Sequence, residues 1–406
     1  MTRLLNRRAV RVALLAALVL LGAVLRLTDI NWDRYQHMHP DERFIVWVAS
    51  TMRWPSGEPG ADGPNAFLGE LGAALDPARS PLNPLRWSPD AGENAGKVRN
   101  YAYGHFPLYL LLGVANVAAA LGRGDWGLGT GEWAPIPGLQ SPVPSPQSPV
   151  PVLQHLADYS HLTLVGRAIS AFADLGTLLL VYAMAVRLAR RMAGQGGNDR
   201  NTDGPAAYAA GLLAAAAYAV AVLPIQLSHY AAVDSLLTLC ATATVALAAR
   251  YAEQGDRLAW AGAGVAAGLA VGSKFSAVLL AVPLLVAALL APSGLARPAS
   301  GPWQAQLLGR SWAFVRRVLP VGLIAILTFA ITNPFALLEF DLYIGQILSQ
   351  NAMVSGVMDA PYTRQYIGTI PYWYFFRQLS QWGLTWPLGL VAWAGLVWAA
   401  LRFGLG

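Results

Sequence analysis

The sequence predicts an all-α polytopic membrane protein with about eight transmembrane helices and a large first extracytoplasmic loop bearing juxtamembrane helices. Three observations carry this. Of 406 residues, 55% are hydrophobic and only 12% are charged, about half of the ~25% usual in soluble domains. Apolar runs recur along the chain at near-spanning length, a span needing roughly 17–25 mostly apolar residues. The arginines gather in short stretches between those runs. The formal net charge of +6 therefore reads as a topology signal, and no nucleic acid partner is expected. The single cysteine, Cys240, lies in an apolar run, so no intrachain disulfide can form.

The runs fall in order. Val12 to Leu25 is short, but Arg11 and Arg26 at its ends can snorkel outward. A cleaved signal peptide also fits its length, and would leave the following residues outside. The next are Leu162 to Val186, Pro205 to Leu223, Ser235 to Ala249, Leu258 to Ser273, Phe275 to Pro292, Val318 to Pro334 and Trp382 to Leu401.

Arginine placement orients them. Arg3, Arg7, Arg8 and Arg11 precede the first run, and Arg187, Arg190, Arg191 and Arg200 follow the second. Arg250 and Arg257 lie between the fourth and fifth, Arg297, Arg310, Arg316 and Arg317 between the sixth and seventh, and Arg402 ends the eighth. A cytoplasmic N-terminus puts all of them inside, as the positive-inside rule prefers. Phe106 to Gly122 is uncharged but would flip this parity if it crossed, so it is expected to be interfacial or re-entrant on the outer side. The chain is then one domain, 1–406, of a multi-pass plasma-membrane protein. Its large outer loop, residues 29–160, forms a cap, and the QSPVPSPQSPVP stretch of residues 140–151 is an extended spacer.

Polar groups collect on the outer face. Asp41 and Glu42 follow the first run, and Tyr103 and His105 precede the interfacial helix. Arg167 lies near the outer end of the second run, His229 and Asp234 between the third and fourth, Lys274 between the fifth and sixth, and Arg364 in the last outer segment. Ionisable residues at membrane edges are functional candidates. Each has a plainer reading. Asp41-Glu42 suits a solvated loop, Asp234 a helix cap, Lys274 a snorkelling lysine and His229 an interface histidine. Arg167 and Asp174 are two turns apart, about 10 Å, so each needs another partner. Jointly, a carboxylate and several cations beside a membrane groove suit sugar transfer from a lipid-linked sugar phosphate. The phosphate leaves with charge stabilisation from Lys or Arg, and one carboxylate takes the acceptor hydroxyl's proton.

These residues resemble a known family. HPDE (His39 to Glu42), GHFPLYLLLG (Gly104 to Gly113), GRAISAFADLGTLLLVYAMAVRL (Gly166 to Leu188), SHYAAVDSLLTL (Ser228 to Leu239) and GLAVGSKFSAVLLAVPLL (Gly268 to Leu285) look like the GT-C fold membrane glycosyltransferases of family 39, the protein O-mannosyltransferase-like and aminoarabinose-transferase-like enzymes. The resemblance implies a GT-C-type helical bundle and an inverting transferase. The donor would be a polyprenyl-phosphate-linked sugar, and the acceptor a hydroxyl on a glycan, lipid or protein. It makes Asp41 the base or substrate-orienting group and Glu42 its acidic neighbour. Asp234 becomes an outer acid near the site, and Lys274 the lysine of a Gly-x-x-x-Gly-x-Lys stretch. His105 stands where relatives often carry a lipid-phosphate-contacting lysine. Arg364 is a further phosphate contact by position. Some relatives bind a divalent metal, which would sit near Asp41 and Asp234. Relatives also often carry more spans or a soluble C-terminal domain, so a minimal enzyme, a fragment and half of a longer product are all open. The competing reading is a transporter or lipid flippase with the acids as coupling sites, but no internal repeat is visible and the acids lie at the rim. A non-catalytic scaffold is the third.

Overall fold

A computed structural model describes residues 8–52, 72, 74–87, 91–122, 159–194, 204–291, 303–359 and 361–404. The expected Pro-rich spacer, 140–151, lies outside the described residues. Among those described there is no strand, and helices carry the architecture.

The first two expected runs form α1 (Arg8–Leu27) and the long α4 (Tyr159–Gly194). Between them lie the cap helix α2 (Pro40–Ser50) and the apolar α3 (Phe106–Gly122). The third run is broken into α5 (Pro205–Ala219) and α6 (Val222–Ser228), bent by 57°. α7 (Val233–Gln254) ends at Gly255, whose left-handed φ of 67° stops the helix. The Asp256 side chain then caps α8 (Arg257–Val271), accepting from the Leu258 and Ala259 N–H groups. The sixth run is a 3₁₀ segment, Phe275–Leu280, leading into α9 (Ala281–Leu290). α10 (Trp303–Thr332) follows, then α11 (Pro334–Leu338), α12 (Phe340–Val354), α13 (Trp373–Gln378) and α14 (Trp386–Gly404).

Among the described residues, four helices are long and apolar enough to cross a membrane: α1, α4, α7 and α10. The bent pair α5–α6 makes a fifth if it is one span. The other three expected spans, α8, Phe275–Leu290 and α14, are shorter apolar helices. At 1.5 Å per residue, the 15 residues of α8 reach about 22 Å, short of a hydrocarbon core about 30 Å thick. By length and composition the chain is a multi-pass membrane protein, with four or five candidate spans among the described residues, and the expected count of about eight is not confirmed.

Close packing explains the glycines of α8. A Cβ on Gly268 would sit 2.5 Å from the Ala325 carbonyl oxygen of α10, so the small residue lets the two backbones approach. The cap has its own core. Ile45, Val46, Val48 and Ala49 of α2 pack with Leu108, Leu111, Leu112 and Ala115 of α3, and with Phe335 and Tyr343. α3 thus buries one face against the cap. Asn83 and Arg86 of the cap donate to Glu339 at 2.7 and 2.6 Å, tying it to the second outer segment.

Charges separate onto two faces. On one, Arg187 and Arg191 of α4 bond Glu253 at the end of α7 at 2.7 and 2.9 Å, and Arg11 of α1 lies 3.7 Å from the Tyr208 ring centroid of α5. On the other lie the starts of α2 and α7 and the end of α8. Arg26 corrects an expectation. It does not snorkel, being fully buried and paired with Asp174 of α4, whose other oxygen accepts from the Tyr218 hydroxyl at 2.5 Å. Asp174 is therefore an ion-pair partner between helices, and the separation of Arg167 from Asp174 is resolved by giving each its own partner.

The face assignment is testable. An impermeant maleimide applied to intact cells is expected to label cysteine at Asn94, exposed in the cap, and to label cysteine at Gln254 only after lysis. Cysteine at Gly124, outside the described residues, is expected to label from outside. Labelling of that position only after lysis would make α3 a span.

Candidate active site

α2 begins where Pro40 takes the first helical position, a place its missing N–H suits. His39 is the N-cap, its Nδ1 accepting from the Glu42 N–H at 3.3 Å, and its ring stacks on Tyr230 at 4.2 Å between centroids. Asp41 and Glu42 sit in the first turn, where the helix dipole favours carboxylates. Successive helical residues are rotated by about 100°, and the two acids point to different places.

Glu42 is fully buried. Its Oε1 and Oε2 accept from the Arg167 guanidinium at 2.5 and 2.8 Å, and Oε2 also accepts from the Ala231 N–H at 2.6 Å. Arg167 completes its set with Asp33 at 2.8 Å and the Ile30 carbonyl at 2.8 Å. Burial alone would raise the Asp33 carboxyl, but the Arg167 hydrogen bond and charge outweigh it and hold the group below the usual carboxylate value. Glu42 and Arg167 were both expected among the reacting or substrate-binding groups. Sealed against each other, they instead position the start of α2.

Asp41 is half-buried and faces the rim. The Tyr103 phenol lies close to it, with Asp234 and Tyr362 also near. Burial, then the Asp41 carboxylate and the Asp234 charge, push the Tyr103 phenol well above its ordinary value, so it stays protonated. Asp234 is not the cap of α7, because Ala232 is the N-cap. Its Oδ1 instead accepts from Lys274 Nζ at 3.2 Å, so Lys274 is an ion-pair partner, not a snorkelling lysine. The structure thus brings together Asp41, Tyr103, Asp234 and Lys274 from four separate stretches of chain.

The remaining expected residues lie elsewhere. His105 is fully buried among Tyr101, Tyr109, Phe335 and Tyr343. Desolvation drives its pKa down to about 3, so it carries no charge for a lipid phosphate. Its backbone holds the loop in place: the Gly104, His105 and Phe106 N–H groups donate to Ser273 O, Asn333 Oδ1 and Gly272 O at 3.0, 2.6 and 3.2 Å. No Cβ fits at Gly104 against the Gly272 backbone. His229 has both ring nitrogens on backbone carbonyls, Ile225 at 2.8 Å and Thr28 at 3.1 Å, and joins α6 to the end of α1. Arg364 is exposed and paired with Asp359, two residues beyond Tyr362. Asp33, His39, Asn333 and Tyr362 were not anticipated. A histidine before Pro at a helix start is the one pattern that could have marked His39 as a cap.

Among the described residues no group of three or more His, Cys, Asp or Glu comes together in a way that could hold a metal. Asp41 and Asp234 offer two carboxylates, one already on Lys274, and this donor set does not fit a protein-held divalent ion.

Residues 206–309, from α5 into the start of α10, match the family model described as dolichyl-phosphate-mannose-protein mannosyltransferase. The matched stretch contains Asp234 and Lys274, while Asp41, Tyr103 and Arg167 precede it. The match covers 104 of the 406 residues. No curated protein and no solved structure matches the chain.

Arg167→Met would leave Asp33 and Glu42 buried without their cation, a loss of about 3–5 kcal/mol. The expected outcome is a large fall in the detergent-solubilised protein's melting temperature. Arg364→Gln, at an exposed pair, is expected to leave it unchanged.

Proposed function

We propose that the protein is an inverting glycosyltransferase that moves a hexosyl or pentosyl group from a polyprenyl-phosphate donor to an acceptor hydroxyl at the extracytoplasmic face of the cell membrane. The supporting observation is the convergence of Asp41, a carboxylate left open at the rim, and Lys274, a half-buried cation, around Tyr103 and Asp234.

In this reading the acceptor oxygen attacks the anomeric carbon while its proton passes to Asp41. The bond from that carbon to the phosphate oxygen breaks, and the lipid phosphate leaves with its electron pair. Lys274 turns from Asp234 toward that developing charge. One displacement inverts the anomeric centre. Tyr103, kept protonated, stands beside Asp41 as a neutral donor for the acceptor. The cap of α2 and α3 covers the rim and is where acceptor choice would be made.

Asp41→Asn is expected to lower transfer in a membrane assay with a lipid-linked sugar donor by about 10²–10⁴-fold, with donor binding retained. Full turnover by that variant would remove Asp41 as the base. Lys274→Met is expected to lower kcat by about 10²–10³-fold in the same assay. Intact transfer by it would move the phosphate contact to another cation.

A further inference from the structure

The face opposite the Asp41 rim carries a second built site. The last turns of α4 and the end of α7 flank an open cavity of about 340 Å³, lined by Ala183, Val186, Arg187, Arg190, Arg191, Glu253 and Gln254. Glu253 supplies the one carboxylate among these residues, and both its oxygens are taken, Oε2 by Arg187 Nε and Oε1 by Arg191. Arg190 donates to the Tyr208 hydroxyl, and Arg11 stacks on that same ring at 3.7 Å. Among the described residues, three guanidinium groups and one carboxylate line this cavity. Arg187 has one more nitrogen, Nη2, that is buried and has no hydrogen-bond partner. A buried N–H of a cation without an acceptor asks for an anion.

We infer that this cavity binds a phosphoryl anion, separate from any substrate phosphate at the Asp41 rim. Guanidinium groups match phosphate oxygens in a two-pronged fork, and several of them around one cavity can share its charge. Two features point to an anionic phospholipid headgroup as the source. The floor of the cavity is apolar, formed by Ala183 and Val186. Leu188 of α4 and Leu213 of α5 are 49% and 68% exposed and present apolar surface for acyl chains. A basic pocket between helices at the arginine-rich side of a membrane protein suits such a headgroup.

The test uses the full chain in detergent, with retained lipid counted by native mass spectrometry after incubation with phosphatidylglycerol or phosphatidylcholine. Phosphatidylglycerol is expected to be retained in preference. The double variant Arg187→Gln, Arg191→Gln is expected to lose about tenfold or more of that retention. Glu253→Gln removes the competing carboxylate and is expected to strengthen it, an opposite sign that general damage to folding would not produce. A parallel titration with inorganic phosphate separates the sources: displacement of the lipid by phosphate supports a free-anion site, and resistance to displacement supports the lipid headgroup. Equal retention of the two lipids by the unaltered protein, with no protection by phosphate, would overturn the proposal. So would wild-type retention by the arginine double variant.

Discussion

The polar rim depends on one buried guanidinium. Arg167 has no exposed surface, and it donates to Glu42 of α2, Asp33 of the linker before it and the Ile30 carbonyl after α1. Glu42 in turn accepts from the Ala231 N–H just before α7. One cation thus sets the starts of both helices that carry the rim carboxylates, Asp41 and Asp234. Desolvating three charges is costly, and only near-complete hydrogen bonding offsets it. Arginine meets that demand because its fork reaches two carboxylates at once, which the point charge of a lysine does not.

A second buried pair repeats the device lower on α4. Asp174 meets Arg26 of α1 and the Tyr218 hydroxyl of α5, while Arg26 also donates to the Ala219 carbonyl at 3.0 Å. α4 therefore presents a cation and, two turns on, an anion. Each is matched by opposite charge from the α1 side of the bundle. Displacing α1 by one turn along α4 would separate Arg26 from Asp174 and leave both buried without partners. Apolar packing among Leu, Val and Ala tolerates sliding, so these two pairs are what define the register of the first helix against the second.

The distribution of charge along the chain made the bundle legible. Apolar runs gave the helices, and the arginine clusters placed Asp41, Tyr103, Asp234 and Lys274 on a common face, where the structure brings them together. What could not be read was the direction in which each charge points. Nothing in HPDE says that Asp41 opens to the rim while Glu42 closes on Arg167, because that depends on how α2 packs against α4. Arg26 looked like a snorkelling residue since sequence shows only its place at the end of an apolar run, not that Asp174 waits beside it. His105 occupies a position where a cation was expected, but the aromatic side chains that enclose it come from residues as distant as Phe335 and Tyr343. Span number is not confirmed for a related reason: composition marks α8 and α14 as apolar without fixing how far each helix continues.

The split between Asp41 and Glu42 shows how a charge-poor protein can use two adjacent acids for opposite purposes. Both occupy the first turn of α2, where the helix N-terminus lowers the cost of negative charge. The rotation between neighbouring positions sends one inward, where its oxygens are saturated by Arg167 and the Ala231 N–H. It sends the other to the rim, beside the neutral Tyr103 phenol. Glu42 therefore fixes the start of α2 while Asp41 stays accessible, and neither could take the other's part without turning α2 on its axis.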